Sequence, residues 1–215
     1  MKKQKKTRPR WGLMGGSFDP IHYGHLLAAQ AAARHCSLSQ VIFIPTGNPP
    51  HKPIGLTAPA GNRYEMTLLA TGDNPLFQVS DLESARVGYS YTFDTLTYFR
   101  NHYPQTELFF ITGADAILDI HTWKNGDILT EMCHFIAISR PGFDLAKLEA
   151  LPRRQRERII PICISPIAIS STEIRESIAA GRDVSQWTPK PVLTYIQSHG
   201  LYQHRAEDMP PATVD

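Results

Sequence analysis

The chain has 215 residues, 42% of them hydrophobic and 20% charged, with a net charge of +2. That suffices for one α/β domain with a full core and excludes an intrinsically disordered chain. No apolar run approaches the ~20 residues that span a bilayer, no apolar segment of signal-peptide type opens the chain, and three widely spaced cysteines without a Cys-x-x-Cys pair argue for buried free thiols in a reducing cytosol.

Residues 1–10 carry Lys2, Lys3, Lys5, Lys6, Arg8 and Arg10 and no acid, so that segment is +6 and the remainder −4 (+2 less +6). It reads as a disordered, solvated basic arm; no aromatic residue is interleaved for stacking on bases, and neither a nucleic acid nor a membrane is expected as partner. Trp11–Met14 is a short buried strand, followed by a helix over His22–His35. Val41–Pro45 is a continuous run of β-branched and aromatic residues, a second buried strand. A proline-rich loop over Asn48–Ala60 precedes a helix at Asn62–Ala70. A short strand at Phe77–Asp81 leads to a helix at Thr92–His102, with Phe93, Leu96 and Phe99 on one side. Leu108–Ile111 and Phe135–Ile138 read as buried strands separated by a helix at Ala114–His121. A charged helix is expected over Leu145–Arg158, a last strand at Ile159–Ile164, and closing helices at Ser171–Ala180 and Pro191–Ser198. The tail from Gln203 reads as disordered, which leaves one folded domain over 11–202.

Strands and helices alternate, and the strands are apolar throughout. This implies a doubly wound parallel sheet with helices on both faces and right-handed crossovers. Ligands then gather beyond the carboxyl ends of the strands, after Met14, Ile44, Ile111 and Ile138.

The stretch that leaves the first strand, Gly15-Gly16-Ser17-Phe18-Asp19-Pro20-Ile21-His22-Tyr23-Gly24-His25, is built for phosphate. A glycine pair lets backbone N–H groups approach closely, and the helix that follows aims its positive end at the same place. His22 and His25, three apart at the helix start, face one way and offer two imidazoles; without a third ligand nearby they are a weak metal signal. Gly24 removes a side chain where substrate would pass. Far downstream, Ser170, Ser171 and Thr172 are hydroxyls at a helix start, a second anion site, with Arg175 one turn on.

Gly-Ser-Phe-Asp-Pro-x-His-x-Gly-His resembles the signature of the nucleotidylyltransferase superfamily, and Ile169–Arg175 is similar to its Ile-Ser-Ser-Thr-x-Ile-Arg element. Pro49-Pro50-His51-Lys52, Tyr91–Leu96, and Ile111–Asp115 followed by Trp123 narrow the resemblance to the bacterial nicotinate-mononucleotide adenylyltransferase family, from about Gly12 to Tyr202. The departures are Ser17 for a common threonine, Thr112 for an aliphatic residue, and Lys124 where some members carry a second aromatic.

The resemblance implies a Rossmann-like α/β fold of nucleotidylyltransferase type and a cytoplasmic enzyme of NAD biosynthesis. Its substrates would be ATP, with Mg²⁺ carried on the triphosphate, and nicotinate mononucleotide; a homo-oligomer is left open. His22, His25, Lys52 and Arg175 would be the catalytic groups. Gly15, Gly16, Ser17, Phe18, Gly113, Asp115, Arg140, Ser170, Ser171 and Thr172 would bind ATP, and Lys52, Thr92 and Trp123 the acceptor. Several of these have structural alternatives. Asp19 orients its own turn, Asp115 bonds ribose or caps a helix, Thr92 meets a carboxylate or caps, Trp123 stacks on the pyridine or fills the core, and Arg140 meets adenine or solvent.

Overall fold

The computed structural model describes residues 8–49, 58–139, 142–164 and 169–203. Lys52, Arg140, most of the basic arm and the tail from 204 lie outside them. Six parallel strands form one sheet in the order β3-β2-β1-β4-β5-β6, where β1 is Arg10–Gly16, β2 Gln40–Pro45, β3 Phe77–Val79, β4 Glu107–Gly113, β5 His134–Ser139 and β6 Ile159–Cys163. This is a doubly wound Rossmann order, and it reverses between β1 and β4.

The register follows from the apolar runs. Leu13 lies beside Ile42 and Phe110, and Met14 beside Phe43 and Ile111. Successive side chains point to opposite faces. Met14, Val41, Phe43, Phe109, Ile111 and Ile136 therefore pack under helices α1 (Tyr23–Cys36), α2 (Ala60–Thr71) and α8 (Lys190–Ser198). Leu13, Ile42, Ile44, Phe110, Phe135 and Ala137 pack under α3 (Thr92–His102), α4 (Ala114–Leu118) and α5 (Gly126–Met132). Each fully buried Phe, Leu or Ile stabilises the fold by about 1.5–3 kcal/mol relative to exposure, so these two layers dominate its cohesion.

The structure departs from these expectations at five points. No single helix covers Leu145–Arg158: a 3-10 segment at Leu145–Ala150 is parted from one α-helical turn, α6 at Arg153–Arg156, by Pro152, which lacks an N–H and clashes with the preceding turn. Helix α4 stops at Leu118 and a 3-10 turn follows at Ile120–Thr122. Helix α5 was not anticipated; it is short and opens at Asn125 with φ +55. Cys163 is exposed on β6, an edge strand, while Cys36 and Cys133 are buried. The first strand also begins one residue early: Arg10 joins β1, its Nε held by Glu107 Oε2 at 2.8 Å.

Candidate active site

A cavity of about 520 Å³ opens at the switch between β1 and β4. Its floor is the carboxyl ends of β1 (Met14, Gly15, Gly16), β4 (Ile111, Thr112, Gly113) and β5 (Ile138, Ser139); its walls are the start of α1 and the start of α7 (Ser171–Ala179). Two stretches some 150 residues apart in the chain thus face one space, with His22 and His25 on one wall and Ser170 and Ser171 on another.

The two imidazoles are fixed by backbone. His22 is the N-cap of α1, and its Nδ1 accepts from Gly24 N–H at 3.1 Å; His25 Nδ1 accepts from His22 N–H at 3.2 Å. In a neutral imidazole whose Nδ1 accepts, the proton sits on Nε2. Both rings are therefore held as Nε2–H donors, their centroids 3.8 Å apart. Gly24 lines the cavity, and a Cβ there would also press on the His22 ring, at 2.8 Å from Cε1. The opening N–H groups of α1 are engaged as well, Tyr23 on Trp187 C=O at 2.9 Å and Gly24 on His22. The start of α1 therefore brings two imidazoles and the helix dipole to the cavity, rather than a row of open amides.

Phe18, expected to contact ATP, is 1% exposed and lies behind the cavity wall. Its ring meets His25 edge-on at 5.1 Å and Phe43 at 5.7 Å, so it backs the histidine. Its φ of +48 is a strained value for such a side chain, held by that packing. Ser17 is absent from the cavity lining, and its C=O accepts from Arg63 at 2.8 Å.

The second motif docks onto the first. Ser170 caps α7 in a capping box with Glu173, its Oγ donating to Oε2 at 2.7 Å. Ser171 Oγ donates to Pro20 C=O at 3.0 Å, and Arg175 Nη1 donates to Asp19 C=O at 2.7 Å, 3.8 Å from the Asp19 carboxylate. Arg175 Nη2 donates to Thr172 Oγ1 at 3.1 Å. Neither Thr172 nor Arg175 lines the cavity, so the pattern that reads as an anion site in sequence is first a clasp between α7 and the β1–α1 loop. Asp19 is buried and does bond backbone, but not that of its own turn: Oδ1 accepts from Ala58 N–H at 3.0 Å and from Tyr202 Oη at 2.7 Å.

Asp115 is the second residue of α4, lines the cavity and is not the cap, which is Gly113. Thr92 is the first residue of α3, whose cap is Tyr91. Thr92 and Trp123 lie outside the cavity but on segments tied together: Lys124 Nζ meets Asp94 at 3.0 and 3.1 Å and sits 4.7 Å over the Tyr91 ring. Trp123 is half-buried, edge-on to Phe110 at 6.3 Å. Ser139, Phe143 and Leu27 line the cavity without having been singled out in sequence, and Thr112, noted there only as a departure, lines it too; the signal that marks Thr112 and Ser139 is their place at strand carboxyl ends. Among the described residues no group of three or more His, Cys, Asp or Glu could hold a metal ion, and no helix is long and apolar enough to cross a membrane.

This fold with paired imidazoles at the switch point defines a class, and comparison with known proteins agrees. The sequence model of the cytidylyltransferase-like family matches residues 13–177. Curated relatives named probable nicotinate-nucleotide adenylyltransferase include one from Moorella thermoacetica, 51% identical over 94% of this chain and 95% of its own, and one from Thermus thermophilus, 50% identical over 90% and 100%. A Plasmodium falciparum nicotinic acid mononucleotide adenylyltransferase, solved with NaAD, superposes with a TM-score of 0.75 over 90% of this chain and 97% of its own at 22% identity, a likeness of fold. The chain belongs to the cytidylyltransferase-like family and, within it, to the nicotinate-nucleotide adenylyltransferases.

Proposed function

We propose that the chain transfers the adenylyl group of ATP to nicotinate mononucleotide, giving deamido-NAD and pyrophosphate. The observation that carries this reading is the pair of Nε2–H donors fixed by backbone on the cavity wall. The relatives' names support the choice of substrates.

The acceptor's 5′-phosphate is already an anion at neutral pH, so the α-phosphorus of ATP can be attacked without a general base. Catalysis is alignment of the two substrates and neutralisation of charge on the five-coordinate phosphorus. The P–O bond to the β-phosphate breaks as the new P–O bond forms, and pyrophosphate leaves with its charge. His22 and His25 donate to α-phosphoryl and bridging oxygens. Gly15 and Gly16, without side chains, let the nucleotide lie against the end of β1. Asp115 is the carboxylate among the described wall residues and is the group for ribose hydroxyls. One carboxylate among the described lining residues suits a hydrated cation better than a protein cage, which fits Mg²⁺ as part of the nucleotide substrate. Lys52 is proposed to meet phosphate, Arg140 adenine or phosphate, and Thr92 and Trp123 the pyridine ring with its carboxylate. Arg175 is proposed to act on phosphate through its remaining N–H groups while Nη1 holds the β1–α1 loop.

The test is pyrophosphate release with ATP and nicotinate mononucleotide, nicotinamide mononucleotide or phosphopantetheine. Nicotinate mononucleotide is expected to be turned over fastest, because a carboxylate accepts fixed N–H or O–H donors that an amide nitrogen does not. Equal rates with the amide reject the acid-specific assignment, and a preference for phosphopantetheine rejects the reading.

A further inference from the structure

Arg63, in the first turn of α2, is 4% exposed and spends its guanidinium on three backbone carbonyls from three segments. Nε donates to Ala58 C=O at 2.9 Å, Nη1 to Ser17 C=O at 2.8 Å and Nη2 to Gly47 C=O at 2.9 Å. Burial pushes its pKa down and the nearby Asp19 carboxylate opposes that push. A planar fork with donors in three directions suits this task; an ammonium does not.

The three carbonyls are not equivalent. Ser17 follows Gly15 and Gly16 on the cavity floor. Gly47 follows the end of β2, where Pro45 lies beside Gly16 in register. Gly47 is gripped from its other side too: its N–H donates to Ser90 Oγ at 3.2 Å, Ser90 N–H donates to Asn48 C=O at 3.0 Å, and a Cβ on Gly47 would overlap the Glu83 carbonyl. Buried Glu83 in turn accepts from Thr95 Oγ1 of α3 at 2.6 Å. Bonds therefore run without a break from the loop after β1, through Arg63 and Gly47, to Ser90 and the start of α3.

We infer that Arg63 is a positioning residue that sets the spacing between the ATP loop after β1 and the acceptor side built on the β2 loop and α3, and hence the in-line alignment of the two reacting phosphates. It is not on the cavity wall and acts through Ser17 and Gly47. This rests on the proposed reaction, in which the two sides take different substrates.

The experiment uses the full chain and Arg63→Lys, which keeps the charge and loses the fork. It records kcat, KM for ATP and for nicotinate mononucleotide, the binding of each substrate alone, and the thermal midpoint. Misplacing one reactant by about 1 Å costs about a hundredfold in rate, so kcat is expected to fall about a hundredfold well below the variant's midpoint while each substrate alone binds close to wild type. Millimolar guanidinium is expected to restore part of the turnover of Arg63→Ala. A kcat close to wild type beside a lowered midpoint overturns the inference, as does a loss of single-substrate binding large enough to account for the whole change. Should Arg63→Lys fail to fold, Ser90→Ala takes its place: it cuts the bond on the other side of Gly47, with a fall of about tenfold in kcat expected for the smaller displacement, and an unchanged kcat overturns the inference. Wild-type chain that makes no dinucleotide defeats the functional reading and the inference together, whereas active wild type with an equally active variant defeats the inference alone.

Discussion

The two ends of the sheet use histidine in opposite ways. At the carboxyl end, His22 and His25 line a cavity, and backbone N–H groups occupy the Nδ1 of each ring. At the amino end, His134 is enclosed by charged side chains: Nε2 lies 3.2 Å from Arg158 Nη1 and 3.6 Å from Glu107 Oε1, and its ring stacks on Phe109. Arginine only donates, so His134 Nε2 accepts from it and the ring is neutral. Burial and then Arg158 lower the pKa of His134, with Glu107 opposing and Arg10 adding to the fall. Backbone partners fix the two rings on a cavity wall, whereas charged side-chain partners hold the third within the fold. In the proposed reaction the first arrangement serves chemistry, and the second serves stability, although the residue type is the same.

That contrast is breakable, and the largest expected effect is on turnover. His25→Ala is expected to lower kcat about a hundredfold to a thousandfold, the range for removing one donor to a charged transition state, with little change in thermal midpoint. A kcat near wild type removes the phosphate role from this end of the sheet. Asp19→Asn comes next. It keeps an acceptor for Ala58 and Tyr202 but withdraws the buried charge that faces Arg175 and Arg63, and is expected to cost about 3 kcal/mol, or roughly 10 °C in midpoint. An unchanged midpoint would mean that the clasp between α7 and the signature loop is held without that charge. Ser171→Ala removes one bond of the same clasp and is expected to cost about 1 kcal/mol in urea unfolding; a loss of turnover far beyond that would assign the hydroxyl to substrate instead.

The smallest effect belongs to the amino end. A histidine whose pKa is depressed by folding contributes stability above its unfolded value, near 6.5, and that contribution is lost as pH falls toward the folded value, because the unfolded chain binds a proton that the folded one resists. Urea midpoints measured from pH 8 down to pH 5 should fall for wild type and fall less for His134→Asn, with turnover at pH 8 alike in both. Identical pH slopes would remove the stabilising role of the neutral ring.

Much of this molecule was legible in the chain because its determinants are local. Val41–Pro45 and Leu108–Ile111 are continuous apolar runs, and they are the second and fourth strands of a parallel sheet buried on both faces. The His-x-Gly-His element is legible for the same reason, since Gly24, His22 and His25 contact one another within a single helical turn. Pro152 shows where composition misleads. The segment around it is rich in helix-favouring charged residues, but one proline parts it into a 3-10 segment and a single α turn. Arg63 was invisible because nothing beside it marks it as buried. Its carbonyl partners at Gly47 and Ser17 lie 16 and 46 positions away, and an arginine in the first turn of a helix reads as solvent-exposed.

The sequence by itself determined the alternation of strands and helices, the parallel sheet and the residue types of the phosphate site, because periodicity, propensity and short-range capping act within a few residues. Only the tertiary structure decided how those residues are spent. Packing brought Ser171 and Arg175 onto Pro20 and Asp19, turned Phe18 inward behind His25, and drew the Arg63 fork onto three loops. A buried polar group takes its partner from whatever segment the fold places within 3 Å, and no pattern along the chain encodes that distance.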